Sequence, residues 1–316
     1  MGIYKDFIIL IVGIAVIIKS ADLFTNAAQA IAAFFKIPRS IVGLTIVSIA
    51  TTMPEFAVSA FSSYMKVGGI AVGNATGSCL ANIGLILGIA AIISTVKLKA
   101  QTVNQDLRFL CGVSFFLLVL MWDGMLSFLD GAILVTMMIG FFVFVVMRQL
   151  KLSKQDNNQR GSLHNIKKDV VKFLIGSAGV VIAAKYAIIP SGVAVAQFFS
   201  VPEVVIGVSM IAVGTSLPEL VTAVVASRKK MGDLAAGNVI GANILNILWV
   251  LGCSSMINPL EIDARTKMLT MPLLILFAVM VYVFAGKKFE ITRNAGIIFV
   301  SAYAGYIIYI VKFAYK

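Results

Sequence analysis

GVSMIAVGTSLPELVTAVVASRKKMGDLAAGNVIGANILNILWVLG, residues 207–252, places one glutamate, Glu219, deep inside an otherwise apolar run. A charged side chain at the centre of a membrane-spanning helix costs about 2.5 to 3.5 kcal/mol on insertion scales, so such residues are rarely kept without a use. Glu219 is therefore the first candidate for a functional residue.

The same pattern occurs a second time, 164 residues earlier, as GLTIVSIATTMPEFAVSAFSSYMKVGGIAVGNATGSCLANIGLILG at residues 43–88. The two copies align without a gap. Identical residues at equivalent positions are Pro38 and Pro202, Gly43 and Gly207, Thr51 and Thr215, Pro54 and Pro218, Glu55 and Glu219, Gly73 and Gly237, Asn74 and Asn238, Gly77 and Gly241, Asn82 and Asn246, Leu87 and Leu251, and Gly88 and Gly252. The chain is thus an internal duplication, and each copy carries one carboxylate within an apolar run.

The composition indicates an integral membrane protein. Hydrophobic residues make up 60% of the 316 residues and charged residues 13%, and the mean hydropathy is +0.99. Soluble domains carry about 25% charged residues. The apolar runs reach the roughly 20 residues that a spanning helix needs, and strand alternation is absent. The predicted fold class is therefore all-α, a polytopic membrane protein whose partner is the lipid bilayer.

The net charge of +12 does not indicate a nucleic-acid partner, because the Lys and Arg residues lie between apolar runs and not on a soluble basic face. The cysteines, Cys79, Cys111 and Cys253, lie inside apolar segments and are predicted to be free, buried thiols. The apolar run behind Lys5 and Asp6 has the length of a signal peptide. Its flank is barely basic and no small-residue cleavage site follows, so we expect an uncleaved first helix.

Hydropathy and helix-breaking residues predict ten transmembrane helices, at about residues 5–33, 40–65, 69–95, 105–122, 127–149, 168–198, 203–227, 233–257, 267–286 and 294–313. The polar linker at 150–167 divides them into two five-helix halves, 1–149 and 168–316, each containing one copy of the repeat. Of the 26 Lys and Arg residues, eighteen flank the loops after odd-numbered helices and six lie on the other side.

This asymmetry predicts that both termini lie outside the cell and that the linker is cytoplasmic, because positive residues are retained on the cytoplasmic side. Five is an odd number of spans, so the two copies must cross the membrane in opposite senses. The sequence therefore predicts an inverted repeat in a multi-pass protein of the plasma membrane.

Each copy carries a Thr-Thr/Ser-x-Pro-Glu pattern in its second helix. Proline lacks a backbone donor and should open the helix just before the glutamate. Carbonyls of Ser48 and Ala212 or their neighbours, the nearby hydroxyls and one carboxylate would then form a cluster of hard oxygens, which suits Ca²⁺ or Na⁺. The alternative is a tolerated kink whose hydroxyls bond back to their own helix. An ionisable residue in both halves favours the functional interpretation.

The third helix of each copy carries GNATGSCLANIG or GNVIGANILNIL. Glycines four residues apart would let two helices approach closely, which is the packing interpretation of this motif. Asn74, Ser78 and Asn82 form a row on one helix face, and Asn246 is the counterpart of Asn82. We favour a role for the row in completing a site with the glutamates near the membrane midplane. In the first helix, Lys19 and Asp22 are expected to pair with each other.

The two motifs, each with the glutamate pattern followed by the Gly-Asn pattern, resemble the α-repeats of the cation/Ca²⁺ exchanger superfamily, and most closely those of prokaryotic Na⁺/Ca²⁺ exchangers. The resemblance covers the core of both halves and the ten-helix plan. It implies antiport by alternating access, with cations bound between the two glutamates. By position it implicates as ligands Glu55, Glu219, Asn82, Thr51, Thr52, Thr215, Ser216 and Ser78, with the carbonyls of Ser48 and Ala212.

The chain departs from that pattern at three positions. Similar exchangers often carry an acidic residue where this chain has Asn246 and a serine where it has Ala242, and Ala50 replaces the glycine present at Gly214. We predict a Ca²⁺/Na⁺ antiporter that acts as a monomer and needs no cofactor. The alternatives are a Ca²⁺/H⁺ antiporter and a membrane-embedded enzyme, but no nucleophile and base pair occurs in the apolar runs. An ion channel, a further alternative, would be recognised by its ohmic conductance.

Overall fold

Helices form nearly all of the chain that the computed structural model describes, which comprises residues 2–34, 39–155, 166–183, 186–187, 190–191, 194, 198 and 212–314. The helices are α1 Gly2–Phe34, α2 at residues 39–51, α3 Met53–Tyr64, α4 Gly68–Ile93, α5 Thr102–Asp123, α6 Phe128–Gln155, α7 Ile166–Ala183, α8 Ala212–Thr215, α9 Leu217–Arg228, α10 Gly232–Ile257, α11 Thr266–Ala285 and α12 Arg293–Ala314.

Several of these helices are long and apolar enough to cross a membrane. Five unbroken stretches of 20 to 26 residues, in α4, α5, α6, α10 and α11, each contain an 18-residue segment with a mean hydropathy between 1.5 and 2.4. The helices α2 and α3 are apolar enough when taken together, and a 51° bend separates them. In addition, α1 has 33 residues and α12 has 22, which exceeds the roughly 20 residues that a bilayer requires.

The order of these helices is consistent with the ten predicted spans. The predicted sixth and seventh spans correspond to α7 and to α8 with α9, and their remaining parts at 184–211 lie almost entirely outside the described residues. Most of the predicted linker, at 156–165, also lies outside them. The fold is therefore of the predicted class, a polytopic membrane protein built almost entirely of helices.

Four two-residue strands, which were not predicted from the sequence, join the halves. Val96–Lys97 (β1) pairs with Glu290–Ile291 (β4), and Met125–Leu126 (β2) pairs with Leu260–Glu261 (β3), both antiparallel. Two residues are too few to produce an alternating pattern. Each sheet combines one strand from each half of the chain.

These strand pairs also show the inverted arrangement. β1 and β2 flank the spanning helix α5, so they lie at opposite ends of the molecule. β3 pairs with β2, and it therefore lies at the end opposite to β1. Because β1 follows α4 and β3 follows the equivalent helix α10, these two helices run in opposite directions.

The centre of the molecule is built on α4 and α10, whose most apolar 18-residue segments are 72% and 94% buried respectively. Close backbone approach explains the glycines at this centre. A Cβ on Gly241 would meet the carbonyl oxygen of Leu44 and lie 2.6 Å from Ser48 Oγ, and one on Gly43 would lie 2.5 Å from the carbonyl oxygen of Leu234. The packing interpretation of the glycine motif therefore holds at Gly241. By contrast, Gly73 has nothing within 4 Å of such a Cβ.

The first helix packs mainly on α7, where the rings of Phe24 and Phe173 lie 4.8 Å apart. The predicted pairing of Lys19 with Asp22 is wrong. Asp22 forms an ion pair with Lys229, the residue that follows α9, and Lys229 Nζ also donates to Asn26 Oδ1 at 2.7 Å. A cation from another helix thus takes the place of the sequence neighbour, which helix spacing alone could not reveal.

The thiols of Cys79, Cys111 and Cys253 are free, as predicted. Only Cys79 is fully buried, because it lies on α4 at the centre of the molecule, whereas the other two are partly exposed.

Gly241→Ala is expected to lower the melting temperature of the purified protein, because its methyl group would collide with the backbone of α2. Overpacking of this kind costs about 1 to 3 kcal/mol, which exceeds the gain in helix propensity. Gly140→Ala on α6 is the matched control, since nothing lies within 4 Å of its Cβ, and it should leave the melting temperature unchanged or raise it. Equal melting temperatures for the two variants would contradict this account of the packing.

Candidate functional site

Both glutamates follow a break in a helix, as the prolines predicted. Thr52 separates α2 from α3, and Pro54 lies in the first turn of α3. In the second copy Ser216 separates α8 from α9, and Pro218 has the same place. The break turns a polar residue, Thr52 or Ser216, out of the regular helix.

One expectation about the carbonyls needs correction. The carbonyl oxygen of Ser48 is not freed by the break, because it accepts the backbone N–H of Thr52 at 2.9 Å. The carbonyl that loses its donor is that of Ala50, four residues before Pro54. Ser48 contributes instead a buried hydroxyl, which donates to the carbonyl oxygen of Leu44 at 2.8 Å. Ala212 is the first residue of α8.

The two carboxylates are held reciprocally by the two halves. Ser216 Oγ donates to Glu55 Oε1 at 3.0 Å, and Thr52 Oγ1 donates to Glu219 Oε1 at 3.4 Å. Both glutamates are 0% exposed and close enough to interact electrostatically. In each, the second oxygen, Oε2, has no hydrogen-bond partner in the described part of the chain. Two buried carboxylate oxygens are thus left for a cation.

A second layer of bonds supports the hydroxyls beside the glutamates. Thr215 Oγ1 donates to Asn74 Oδ1 at 3.1 Å, and the equivalent Thr51 Oγ1 donates to Asn238 Oδ1 at 3.2 Å. Ser78 Oγ lies 3.4 Å from Thr215 Oγ1. All of these residues are buried. The structure therefore brings together the predicted threonines and serines of both copies.

Asn82 and Asn246 complete the set of oxygens. Each begins a stretch in which the helix widens to π-helical turns, Asn82–Leu87 in α4 and Asn246–Leu251 in α10. Such widened turns often mark functional sites. Both residues are 0% exposed. Neither Asn82 Oδ1 nor Asn246 Oδ1 has a partner among the residues that the structure describes.

Carboxylate, amide and hydroxyl oxygens are the ligands of Ca²⁺ and Na⁺ rather than of zinc or copper. The described residues contain no cluster of three or more His, Cys, Asp or Glu side chains placed to hold a metal ion. The oxygens gathered around the two glutamates are of the kind that a hard cation takes as ligands.

The site also contains residues that the sequence analysis did not single out. Asn238 supports Thr51, and Ser59 accepts a hydrogen bond from Asn74 Nδ2 at 3.0 Å. Asn243 donates to the carbonyl oxygen of Cys79 and accepts from Asn82. Asn238 could have been identified from the sequence, because the gapless alignment of the two copies places it at the position equivalent to Asn74. Ser59 and Asn243 have no identical counterpart, and only the structure shows their contacts.

The duplication is imperfect around the site, and the differences leave polar atoms unpaired. Ala223 stands at the position equivalent to Ser59, and Ala242 at that of Ser78. Asn238 Nδ2 has no partner within the described residues, whereas Asn74 Nδ2 donates to Ser59 Oγ and to the carbonyl oxygen of Glu55. The two halves of the site are therefore chemically unequal.

Inverted helical halves that enclose buried carboxylate, amide and hydroxyl oxygens at broken helices are typical of secondary membrane transporters that exchange cations. Comparison with known proteins specifies the family. The model of the family described as sodium/calcium exchanger protein matches residues 5–147 and 168–312. The chain belongs to this family.

Individual relatives agree with this assignment. Inner membrane protein YrbG of Escherichia coli (strain K12) is 37% identical over 81% of this chain and 81% of its own. Sodium/calcium exchanger MaX1 of Methanosarcina acetivorans is 29% identical over 96% of this chain and 97% of its own. A solved structure of the sodium-calcium exchanger NCX_Mj has a TM-score of 0.85 and 29% identity, and the match covers 97% of this chain and 99% of that one.

Ala223→Ser is expected to raise the melting temperature, because the hydroxyl would give Asn238 Nδ2 the partner that Ser59 gives Asn74. One hydrogen bond contributes about 0.5 to 1.5 kcal/mol net. Ala223→Val is the control, since it adds bulk to a fully buried position without an acceptor and should lower the melting temperature. A stabilising valine together with a destabilising serine would refute the proposed match between the two copies.

Proposed function

We propose that this chain exchanges Ca²⁺ for Na⁺ across the membrane, with both ions competing for one site between Glu55 and Glu219. The observation that carries the proposal is the pair of fully buried carboxylates, each with one oxygen left unpartnered in the described residues. The proposed ligands are Glu55, Glu219, Asn82, Asn246, Thr51, Thr52, Ser48, Ser78, Ala212, Thr215 and Ser216. Relatives named as sodium/calcium exchangers support the choice of ions.

Competition for the carboxylates is sufficient to couple the two fluxes. Two negative charges in a water-poor cavity repel each other, so the empty site is costly, and a bound cation removes that cost. One Ca²⁺ or several Na⁺ ions can each neutralise the pair, but they cannot do so together. Suppose that the protein switches between its outward-open and inward-open states only when the charge of both carboxylates is neutralised. Each Ca²⁺ that leaves must then be replaced by Na⁺.

Both ions suit the ligands for the same reason. Ca²⁺ takes 6 to 8 oxygen ligands in flexible geometry, and two carboxylates, two amides and the hydroxyls at the helix breaks provide a comparable number. Na⁺ binds the same kinds of oxygen with less charge. Ser78 places a hydroxyl near Thr215, but its equivalent, Ala242, places none near Thr51. Fewer oxygens are therefore available on the Thr51 side of the site. We propose that this side of the site binds Na⁺ more weakly.

Glu55→Gln and Glu219→Gln are each expected to reduce Ca²⁺ uptake by more than 90%, or roughly tenfold, because one carboxylate cannot neutralise Ca²⁺ in a buried site. The measurement is Ca²⁺ uptake into proteoliposomes loaded with Na⁺, compared with vesicles that carry only a pH gradient. Val143→Gln, on the exposed face of α6, controls for the substitution itself.

Wild-type protein should respond to the Na⁺ gradient and not to the pH gradient alone. Uptake driven equally by the pH gradient would replace Na⁺ with H⁺ as the coupling ion. Undiminished uptake by a folded Glu55→Gln variant would place the cation site elsewhere.

We further propose that the protein resides in the plasma membrane with both termini outside and the linker cytoplasmic, and that it acts as a monomer. The support is the distribution of Lys and Arg and the presence of both halves of the site in one chain. A tag inserted at Asn157 should therefore be protected from an impermeant reagent in intact cells, and a tag after Lys316 should be labelled. Labelling of both tags, or of neither, would contradict an odd number of spans between them.

A further inference from the structure

Asn243 lies where the two central helices, α4 and α10, cross. Asn243 Nδ2 donates to the carbonyl oxygen of Cys79 at 3.3 Å, and the thiol of Cys79 donates to the carbonyl oxygen of Asn243 at 3.7 Å. Cys79 and Asn243 are equivalent positions of the two copies, so this contact lies on the axis that relates the halves. The side chain of Asn243 makes one further bond, because its Oδ1 accepts from Asn82 Nδ2 at 3.0 Å.

The chemistry of the groups fixes the direction of these bonds. A backbone carbonyl can only accept, so Asn243 must present its amide nitrogen to Cys79. Asn243 Oδ1 then faces Asn82. Because this oxygen can only accept, Asn82 must donate from its own amide nitrogen. The remaining atom, Asn82 Oδ1, is turned away from Asn243, and it is the atom left without a partner in the described residues. A chain of donors and acceptors that starts at the main chain thus determines which end of Asn82 is available.

The second copy lacks this control. The residue that would orient Asn246 is Cys79, and a thiol has neither the length nor the strong acceptor of an amide. Consistently, both Oδ1 and Nδ2 of Asn246 are buried and have no partner in the part of the chain that is described. The two asparagines occupy equivalent positions at the start of the widened turns, yet only one of them is oriented.

We propose that Asn243 is a positioning residue that holds Asn82 as a fixed oxygen ligand, while Asn246 is free to turn either its oxygen or its nitrogen towards the site. This inference rests on the proposed function, in which both asparagines face the cations. A fixed oxygen favours every bound ion. The unfixed amide offers oxygen to a cation and a donor N–H to a carboxylate when the ion has left, which reduces the cost of the empty site.

The first test is a double-mutant cycle. Asn243→Ala and Asn82→Ala should each weaken Ca²⁺ binding by about tenfold, the size of effect expected for one lost bond or ligand, and should raise KM with little change in kcat. The double variant should bind Ca²⁺ no more weakly than Asn82→Ala alone, because Asn243 acts only through Asn82. Affinity is measured by calorimetry on purified protein without Na⁺, and turnover is measured in proteoliposomes.

The second test adds the missing partner and does not require Asn243→Ala to fold. Cys79→Asn should give Asn246 an acceptor for its nitrogen and tighten Ca²⁺ binding by about threefold or more, a gain within the range of one hydrogen bond. The gain should vanish when Asn246→Ala is also present. Cys79→Ser is the matched variant, because it keeps a small donor but lacks an acceptor that reaches Asn246, and it should show no coupling to position 246.

Two results would overturn the inference while the proposed function stands. The first is additive losses for Asn243→Ala and Asn82→Ala, with kcat reduced as much as affinity, which would show a purely structural role. The second is a Cys79→Asn variant whose affinity equals that of Cys79→Ser. Calorimetry on Glu55→Gln in the same preparation separates the two levels, because retained Ca²⁺ binding there would refute the proposed site itself.

Discussion

The burial of two carboxylates is the constraint on which the rest of the structure depends. Glu55 and Glu219 are inaccessible to water, and a buried ionised carboxylate costs several kcal/mol unless it is paired or hydrogen-bonded. Each receives a hydroxyl donor from the opposite half of the chain, Ser216 or Thr52. Each half therefore contributes to satisfying the glutamate of the other. The crossing of α4 and α10 and the two antiparallel sheets, each with one strand from either half, fix how the halves are placed against each other. This placement, together with the broken helices, brings each hydroxyl to the glutamate of the opposite half.

Features with a strong local physical cause could be predicted from the sequence. A glutamate in an apolar run is costly and proline interrupts helical bonding, so the site and the helix breaks before Glu55 and Glu219 were predictable. Features that depend on how helices face each other were not. Asp22 pairs with Lys229, more than 200 residues away, instead of with Lys19. The hydrogen bond of the Ser48 carbonyl and the role of Asn243 likewise required the positions of neighbouring backbone atoms.

The differences between the copies are as informative as the identities. At the two glutamates and at the pair Asn74 and Asn238, where the copies agree, equivalent hydrogen bonds occur in both halves. Where they differ, a bond occurs once: Ser59 has no counterpart at Ala223, and Asn243 has none at Cys79. Comparing equivalent positions of the two halves therefore shows how a hydrogen bond changes when one side chain is replaced by another. The site consequently combines a symmetric pair of carboxylates with an asymmetric surrounding of neutral oxygens.

The strand pairs tie the two halves together. Among the described residues, β1 pairs with β4 and β2 pairs with β3, so each of these sheets joins one half to the other. A single five-helix half would leave its two strands unpaired and would lack the hydroxyl that the other half donates to its glutamate. Two identical halves inserted in opposite orientations would satisfy all of these groups at once. The chain thus has the architecture of an antiparallel pair of halves, and because the halves are separate stretches of one chain, each can differ on its own side of the site.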